Sequence, residues 1–174
     1  MVIAPEDFRD EEYKIPREIF EKEGFQITVA ASRLGSATGS LGMRAPIDTT
    51  LSQAKVSDYD AVVFVGGKGS WDYFDNQQAH RIAQEAAGFE GFLCAICSAP
   101  GILAKAGVLQ GKKVTSFARE TALLKERGAS FTGKPVEKDG KLITADGPRS
   151  AEAFARSIVE AIKTGEKIGS RPKT

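Results

Sequence analysis

Residues 91–106 read GFLCAICSAPGILAKA, and the change of pattern inside that stretch decides the fold. Residues 91–96 (GFLCAI) form an apolar run of strand length, and residues 98–106 (SAPGILAKA) read as a helix. Cys97 stands at the junction. A thiol at a sharp strand-to-helix turn is presented upward with its neighbours folded away, and Ala95 and Ala99 leave room for the turn, much as glycines do at a hydrolase nucleophile elbow. The free N–H groups and positive dipole end of the following helix favour thiolate over thiol there. The expectation is a reactive Cys97 with a pKa below the ~8.5 of a free cysteine. Cys94, inside the strand with no helix end beside it, reads as a small buried hydrophobe, which is how most free cysteines behave.

Working outward, strands and helices alternate. Upstream, residues 1–4 (MVIA) read as the tail of a strand whose earlier residues are missing. An acidic turn at 5–12 (PEDFRDEE) and a helix to Gly24 follow, with Ile15, Ile19 and Phe20 as its apolar stripe and Pro16 either near its first turn or kinking it if the helix starts earlier. Residues 25–31 (FQITVAA) read as a strand, 35–48 as a glycine-rich hairpin-like excursion, 51–56 as a short helix, 61–65 as a buried strand ending in Gly66–Gly67–Lys68–Gly69, and 77–87 as a helix. Downstream, 113–116 reads as a strand, 120–127 as a helix stopped by Gly128, and 136–138 with 141–144 as a hairpin around Asp139–Gly140. A closing helix at 150–162 completes a domain spanning 1–163, leaving 164–174 as a polar tail. Such alternation implies an α/β fold with a mainly parallel sheet covered on both faces, and ligands in such folds gather beyond the carboxyl ends of the strands. Cys97, Gly66–Gly67 and the 5–12 turn all fall at such ends.

The chemistry available there is limited. The glycines at 66–69 match neither the dinucleotide fingerprint nor the phosphate-loop pattern. They serve either as a tight turn or as backbone N–H donors to an oxyanion beside Cys97. A cysteine nucleophile usually leans on an imidazole, yet the one histidine, His80, lies inside the 77–87 helix and reads as a surface residue. A glutamine amidotransferase needs a histidine and glutamate after its cysteine, and no histidine follows Cys97. What remains is a carboxyl from Asp7, Asp10, Glu11 or Glu12. Held near the thiol and desolvated, it stays protonated as a hydrogen-bond donor; otherwise these acids simply favour the helix dipole.

Composition narrows the partners. The chain has 174 residues, 24 Lys and Arg against 23 Asp and Glu, a formal net charge of +1 and two cysteines. Near-cancelling charge excludes strong attraction to nucleic acid or an anionic membrane. No apolar stretch approaches the ~20 residues of a membrane span. Two cysteines three apart cannot bridge within one strand, which suits a reducing cytoplasm. No Cys, His and carboxylate spacing resembles a metal-ligand set, so neither metal nor cofactor is expected.

The chain resembles the ThiJ/PfpI family, whose members include a Parkinson's-linked deglycase and an archaeal peptidase. The carriers are residues 8–16 (FRDEEYKIP), 58–67 (DYDAVVFVGG), 95–100 (AICSAP), 101–117 (GILAKAGVLQGKKVTSF) and 139–148 (DGKLITADGP). The resemblance implies a flavodoxin-like three-layer sandwich and dimers or larger homo-oligomers. Matched by position, it implies that Cys97 is the nucleophilic, oxidisable cysteine and that Glu12, four residues before Pro16, bonds its sulfur. Gly67, beside Gly66, and the Ser98 N–H would form the oxyanion pocket. Three positions depart from it. Ser98 replaces the histidine that follows the cysteine in peptidase-type members, Phe117 replaces the deglycase-branch histidine, and Trp71 falls where the peptidase triad has its acid. The resemblance therefore implies a cysteine enzyme acting on small reactive carbonyls or glycated substrates, of glyoxalase or deglycase type. A redox-sensing protein working through Cys97 oxidation is the alternative, and a peptidase is disfavoured by the missing histidine.

Overall fold

The computed structural model of the chain describes residues 1–168, with side chains to residue 165. After residues 1–4 come β1 (Glu6–Phe8), α1 (Asp10–Lys22), β2 (Ala30–Ala31), β3 (Gly35–Gly39), β4 (Arg44–Ile47), β5 (Thr49–Thr50) and β6 (Ala61–Phe64). There follow α2 (Gln77–Gly88), β7 (Phe92–Ile96), α3 (Pro100–Lys105), β8 (Lys113–Val114), α4 (Thr121–Glu126), β9 (Ser130–Phe131), β10 (Val136–Asp139), β11 (Leu142–Ala145) and α5 (Ala151–Ile168).

The main sheet runs β10-β11-β7-β6, parallel except for the antiparallel β10–β11 edge. Residues 1–4 extend it: Val2 bridges Phe64 of β6 on one side and Ala30 of β2 on the other, both parallel, and β2 pairs with β5. Successive side chains along a strand face opposite ways, and both faces here are apolar. Leu93 and Ala95 of β7, with Val62 and Phe64 of β6, join α2 and α3 through Ile82, Ala83, Ile102 and Leu103. Cys94 and Ile96, with Val63 and Ile143, join α5 through Phe154, Ala155 and Ile158, and Phe20 of α1 packs there as well. This is the three-layer α/β sandwich expected, and it makes Cys94 a fully buried core residue under α5.

The excursion at 35–48 is the antiparallel β3–β4 hairpin, and β1 lies parallel to β3. The 136–145 hairpin turns on Gly140 and Lys141, one residue later than expected, because Asp139 is already paired with Leu142. Gly24, Gly107 and Gly128 all adopt positive φ just after helices, as stops do.

Three expectations need correction and one open choice is decided. The strand at 25–31 is reduced to Ala30–Ala31, although Thr28 and Val29 still offer their carbonyls to the Met1 N-terminus, Asp48 and Thr49. The helix at 51–56 is a single turn followed by a 3-10 turn at Val56–Asp58, because Arg81 of α2 donates to the Leu51 and Ala54 carbonyls at 2.7 and 3.1 Å. Of the two placements open for Pro16, the structure takes the interior one, the seventh residue of α1, so the Glu12 carbonyl lacks the donor a helix would give it. The closing helix continues through Ile168, into the expected tail: Ala161 and Ile162 are still buried, and one glycine at 165 costs only about 1 kcal/mol against alanine. The rest of that tail, residues 169–174, lies outside the described residues.

Candidate active site

Cys97 follows β7 directly and has φ +62°. Its N–H donates to the Ala145 carbonyl (2.9 Å), and its carbonyl accepts from the Phe117 N–H (2.8 Å). Bonds from both sides hold the residue in a left-handed conformation that costs a non-glycine residue about 1–2 kcal/mol. The residue is only 8% exposed. Ser98, next along, sends its hydroxyl to the Gly67 carbonyl at 3.2 Å, with Sγ 4.0 Å away.

The four candidate acids separate cleanly. Asp7 is exposed, at φ +57° in the irregular register of β1 against β3. Asp10 turns away to accept the N–H groups of Leu41 (3.0 Å) and Met43 (2.8 Å), tying the β3–β4 hairpin to the start of α1. Glu11 pairs with Arg9 through two bonds of 2.8 and 3.1 Å. Glu12 alone reaches the elbow. It is fully buried, and its Oε2 accepts the Gly66 N–H at 2.9 Å. Oε1 is buried without a hydrogen-bond partner, and the Cys97 side chain packs against the same glycine as the carboxyl, close enough to act on its proton affinity.

Close packing of the glycine turn makes this meeting possible. A Cβ at Gly66 would lie 2.6 Å from Glu12 Oε2 and 2.7 Å from Cys97 Cβ. Gly67, at φ +99°, leaves room for the Arg9 backbone, whose N–H bonds the Gly66 carbonyl at 3.0 Å. The turn thus docks onto the start of α1 and brings Glu12 beside the sulfur. It also revises the oxyanion pocket: the Gly66 N–H is committed to Glu12 and is no longer available. Among the described residues the Gly67 N–H meets no acceptor, and the Ser98 N–H lies against the Cys97 sulfur.

The electrostatics correct the expectation for the thiol. Burial first, then the charge and hydrogen bond of Glu12, push Cys97 up to about 12, against the Ser98 hydroxyl and N–H. The helix end contributes little, since α3 has six residues and begins three residues beyond Cys97. Burial likewise raises Glu12 to about 7, opposed by its bonds to the thiol and to Gly66 and by Arg9. The two groups titrate as a pair. They hold two protons below pH ~7 and share one between oxygen and sulfur above it.

Sequence reasoning missed the surroundings of this pair. Trp71 donates its indole N–H to Glu120 at 3.0 Å, and the Arg119 guanidinium lies 3.9 Å over its ring. A buried carboxyl therefore does stand near the position of a triad acid, but it grips an indole. Phe117 is 47% exposed. His80 is bonded by Nε2 to the Phe74 carbonyl (2.6 Å), within the turn before α2, as its helical position suggested. The Arg9–Glu11 pair had no signal, because residues two apart do not face each other on a helix.

The site is thus that of a parallel-sheet α/β protein with a strained cysteine elbow and a buried carboxyl beside it, its one histidine being bonded to the Phe74 carbonyl. A family model described as the DJ-1/PfpI family matches residues 1–161, and the chain belongs to that family. An uncharacterised protein of Methanocaldococcus jannaschii is 37% identical over 94% of this chain and 81% of its own. The deglycase PfpI of Pyrococcus furiosus is 27% identical over 94% of this chain and 98% of its own. The crystal structure of a ThiJ/PfpI domain protein from Brachyspira murdochii superposes with a TM-score of 0.92 at 30% identity, covering 94% of each chain. Among the described residues no helix is long and apolar enough to cross a membrane.

Proposed function

We propose that the protein is a cysteine-dependent enzyme that converts small reactive carbonyls to hydroxy acids, with Cys97 as nucleophile and Glu12 as proton carrier. The observation that carries this reading is the buried Glu12 carboxyl, fixed by the Gly66 N–H and raised to about 7 beside the Cys97 side chain. A relative named as a deglycase supports the same class of substrate.

For a 2-oxoaldehyde the sequence runs as follows. The sulfur adds to the aldehyde carbon, and the thiol proton passes to the new oxygen through Glu12, giving a hemithioacetal. The Gly67 and Ser98 N–H groups are the available donors to that oxygen as charge develops on it. Glu12 then takes the proton from the former aldehyde carbon and returns it to the adjacent one, as base and then acid near its own pKa, while the hydroxyl proton passes from the first oxygen to the former ketone oxygen. The product is a thioester of the 2-hydroxy acid, which water hydrolyses to release the acid and restore the thiol. The net change is addition of one water, with no oxidant or cofactor. With no histidine to activate that water, turnover is slow. Lactate formation from methylglyoxal tests it: we expect weak activity in the wild type, none in Cys97→Ser and a strong loss in Glu12→Gln. Wild-type activity no greater than that of Cys97→Ser would end this reading.

A second reading draws on the unpartnered Glu12 Oε1. A protonated carboxyl there is placed to donate to the oxygen of a sulfinate formed when peroxide oxidises Cys97. Peroxide treatment with mass analysis separates the two readings. The proposal also includes self-association, for which the exposed Leu34 and Leu41 beside β3 are the support.

A further inference from the structure

We propose that Phe117 is the specificity-determining residue of this site, forming an aromatic wall that selects carbonyl compounds carrying an aryl or similarly flat apolar substituent. This rests on the reading of Cys97 as the nucleophile given above. The Phe117 N–H is bonded to the Cys97 carbonyl, so the residue is anchored to the elbow itself. Phe117 is 47% exposed, unusual for so large an apolar residue whose backbone is bonded to a buried cysteine. It lines a groove that adjoins the elbow rather than containing the thiol, with Phe131, Pro135, Pro148 and Arg149 as further walls and Arg9, within electrostatic reach of Cys97, at the shared side. Arg149 is exposed and makes no ion pair among the described residues, which leaves its guanidinium open to an aromatic face.

The wall is also held in place. Phe117 begins the 3-10 turn Ala118–Glu120, and its carbonyl accepts the Glu120 N–H at 3.0 Å. Glu120 and Arg119, at the end of that turn, grip Trp71 on the loop that follows β6. Two loops are thereby clasped together, and Phe117 is fixed between the clasp and the elbow. With its backbone fixed at both the N–H and the carbonyl, the side chain has only its own two torsions to order when it meets another flat ring. An imidazole at this position would have supplied a base; the phenyl supplies only contact.

The test reads alkylation of Cys97 rather than turnover. Phenacyl bromide and bromoacetone both react by attack of sulfur on the carbon bearing bromine. The C–S bond forms, the C–Br bond breaks with its electrons leaving on bromide, and the thiol proton passes to Glu12 and then to solvent. Rates are measured by mass analysis and normalised to those of free N-acetylcysteine. We expect the wild type to favour phenacyl bromide on the order of tenfold more than Phe117→Ala does, with Phe117→Tyr restoring the preference. An unchanged ratio in Phe117→Ala overturns the proposal, as does a Phe117→Ala variant altered only in oligomeric mass, which would make the groove a contact between copies. If methylglyoxal turnover is absent while the aryl preference persists, the enzymatic reading falls and the wall stands. If neither reagent reaches Cys97, both fall.

Discussion

Glu12 and Cys97 hold one another's protons, and that coupling sets the behaviour of the site at the scale of single residues. With the wild type, the rate of iodoacetamide reaction at Cys97 should rise through an inflection near pH 7, where the pair loses its first proton. In Glu12→Gln the inflection should leave the neutral range and move above 9, because burial still disfavours the thiolate and no carboxyl remains to take the proton. Cys94, buried under α5, should stay unlabelled. A wild-type and Glu12→Gln pair with the same profile would remove Glu12 from the site. Stability should change in the same variant. The folded carboxyl keeps a proton that the unfolded chain releases above 4.5, so its contribution is complete below that pH and is lost as pH rises through about 7. A displacement of that size corresponds to about 3 kcal/mol, and the wild type should lose that much relative to Glu12→Gln between pH 4.5 and 8 in urea titrations. Cys97 was legible because a strand-to-helix junction shows in one dimension. The choice of Glu12 over Asp10 and Glu11 came only from the family resemblance, since adjacent helical residues point about 100° apart and the helix's phase against the sheet is a tertiary fact. The proton affinity of the thiol was misjudged for a related reason: the helix end is visible in sequence, the depth of burial is not.

Between elements, the site depends on how closely the turn after β6 approaches α1. Gly66→Ala should therefore act twice. Its methyl would meet the Glu12 carboxylate and Cys97 Cβ at 2.6 and 2.7 Å, costing about 1–3 kcal/mol of stability as an overpacked contact. It should also part the carboxyl from the sulfur, abolishing the neutral inflection of Cys97 alkylation. A variant that melts with the wild type and alkylates with the same pH profile would show that the glycine has no part in the site. The sequence marked these glycines as a turn or as oxyanion donors. Gly66 instead gives its N–H to Glu12, because the direction of a backbone donor depends on what docks against it. Elements set by local signals were read well, among them α2, β7 and the 136–145 hairpin. Those decided by distant partners were not. Arg81 takes the carbonyls that a helix at 51–56 needed, and the buried face of α5 carries it past the polar residues that looked like its end.

At the scale of the molecule, both faces of the sheet are covered by helices, and among the described residues the large apolar side chains left exposed are Leu34, Leu41 and Phe117. Leu34 and Leu41 flank β3 on the hairpin that Asp10 ties to α1. If that hairpin is where copies meet, light scattering should give a mass at least twice that of the chain, and Leu41→Lys should lower it; a monomer at micromolar concentration would refute self-association. The layered architecture was readable from alternation alone, since helices between strands demand a parallel sheet with two covered faces.

Nine glycines in the described chain occupy positive φ, and only Asp7 and Cys97 do so with a side chain. Wherever nothing but shape is at stake, this chain mostly relieves that backbone conformation with glycine. At 97 it retains a sulfur and the strain that accompanies it, in a domain whose whole margin is typically about 5–15 kcal/mol. If the thiol is used as proposed, durability and reactivity are opposed at this one position. A lineage released from using the thiol would be expected to drift toward glycine there, which makes the residue at 97 a marker for sorting working descendants from retired ones.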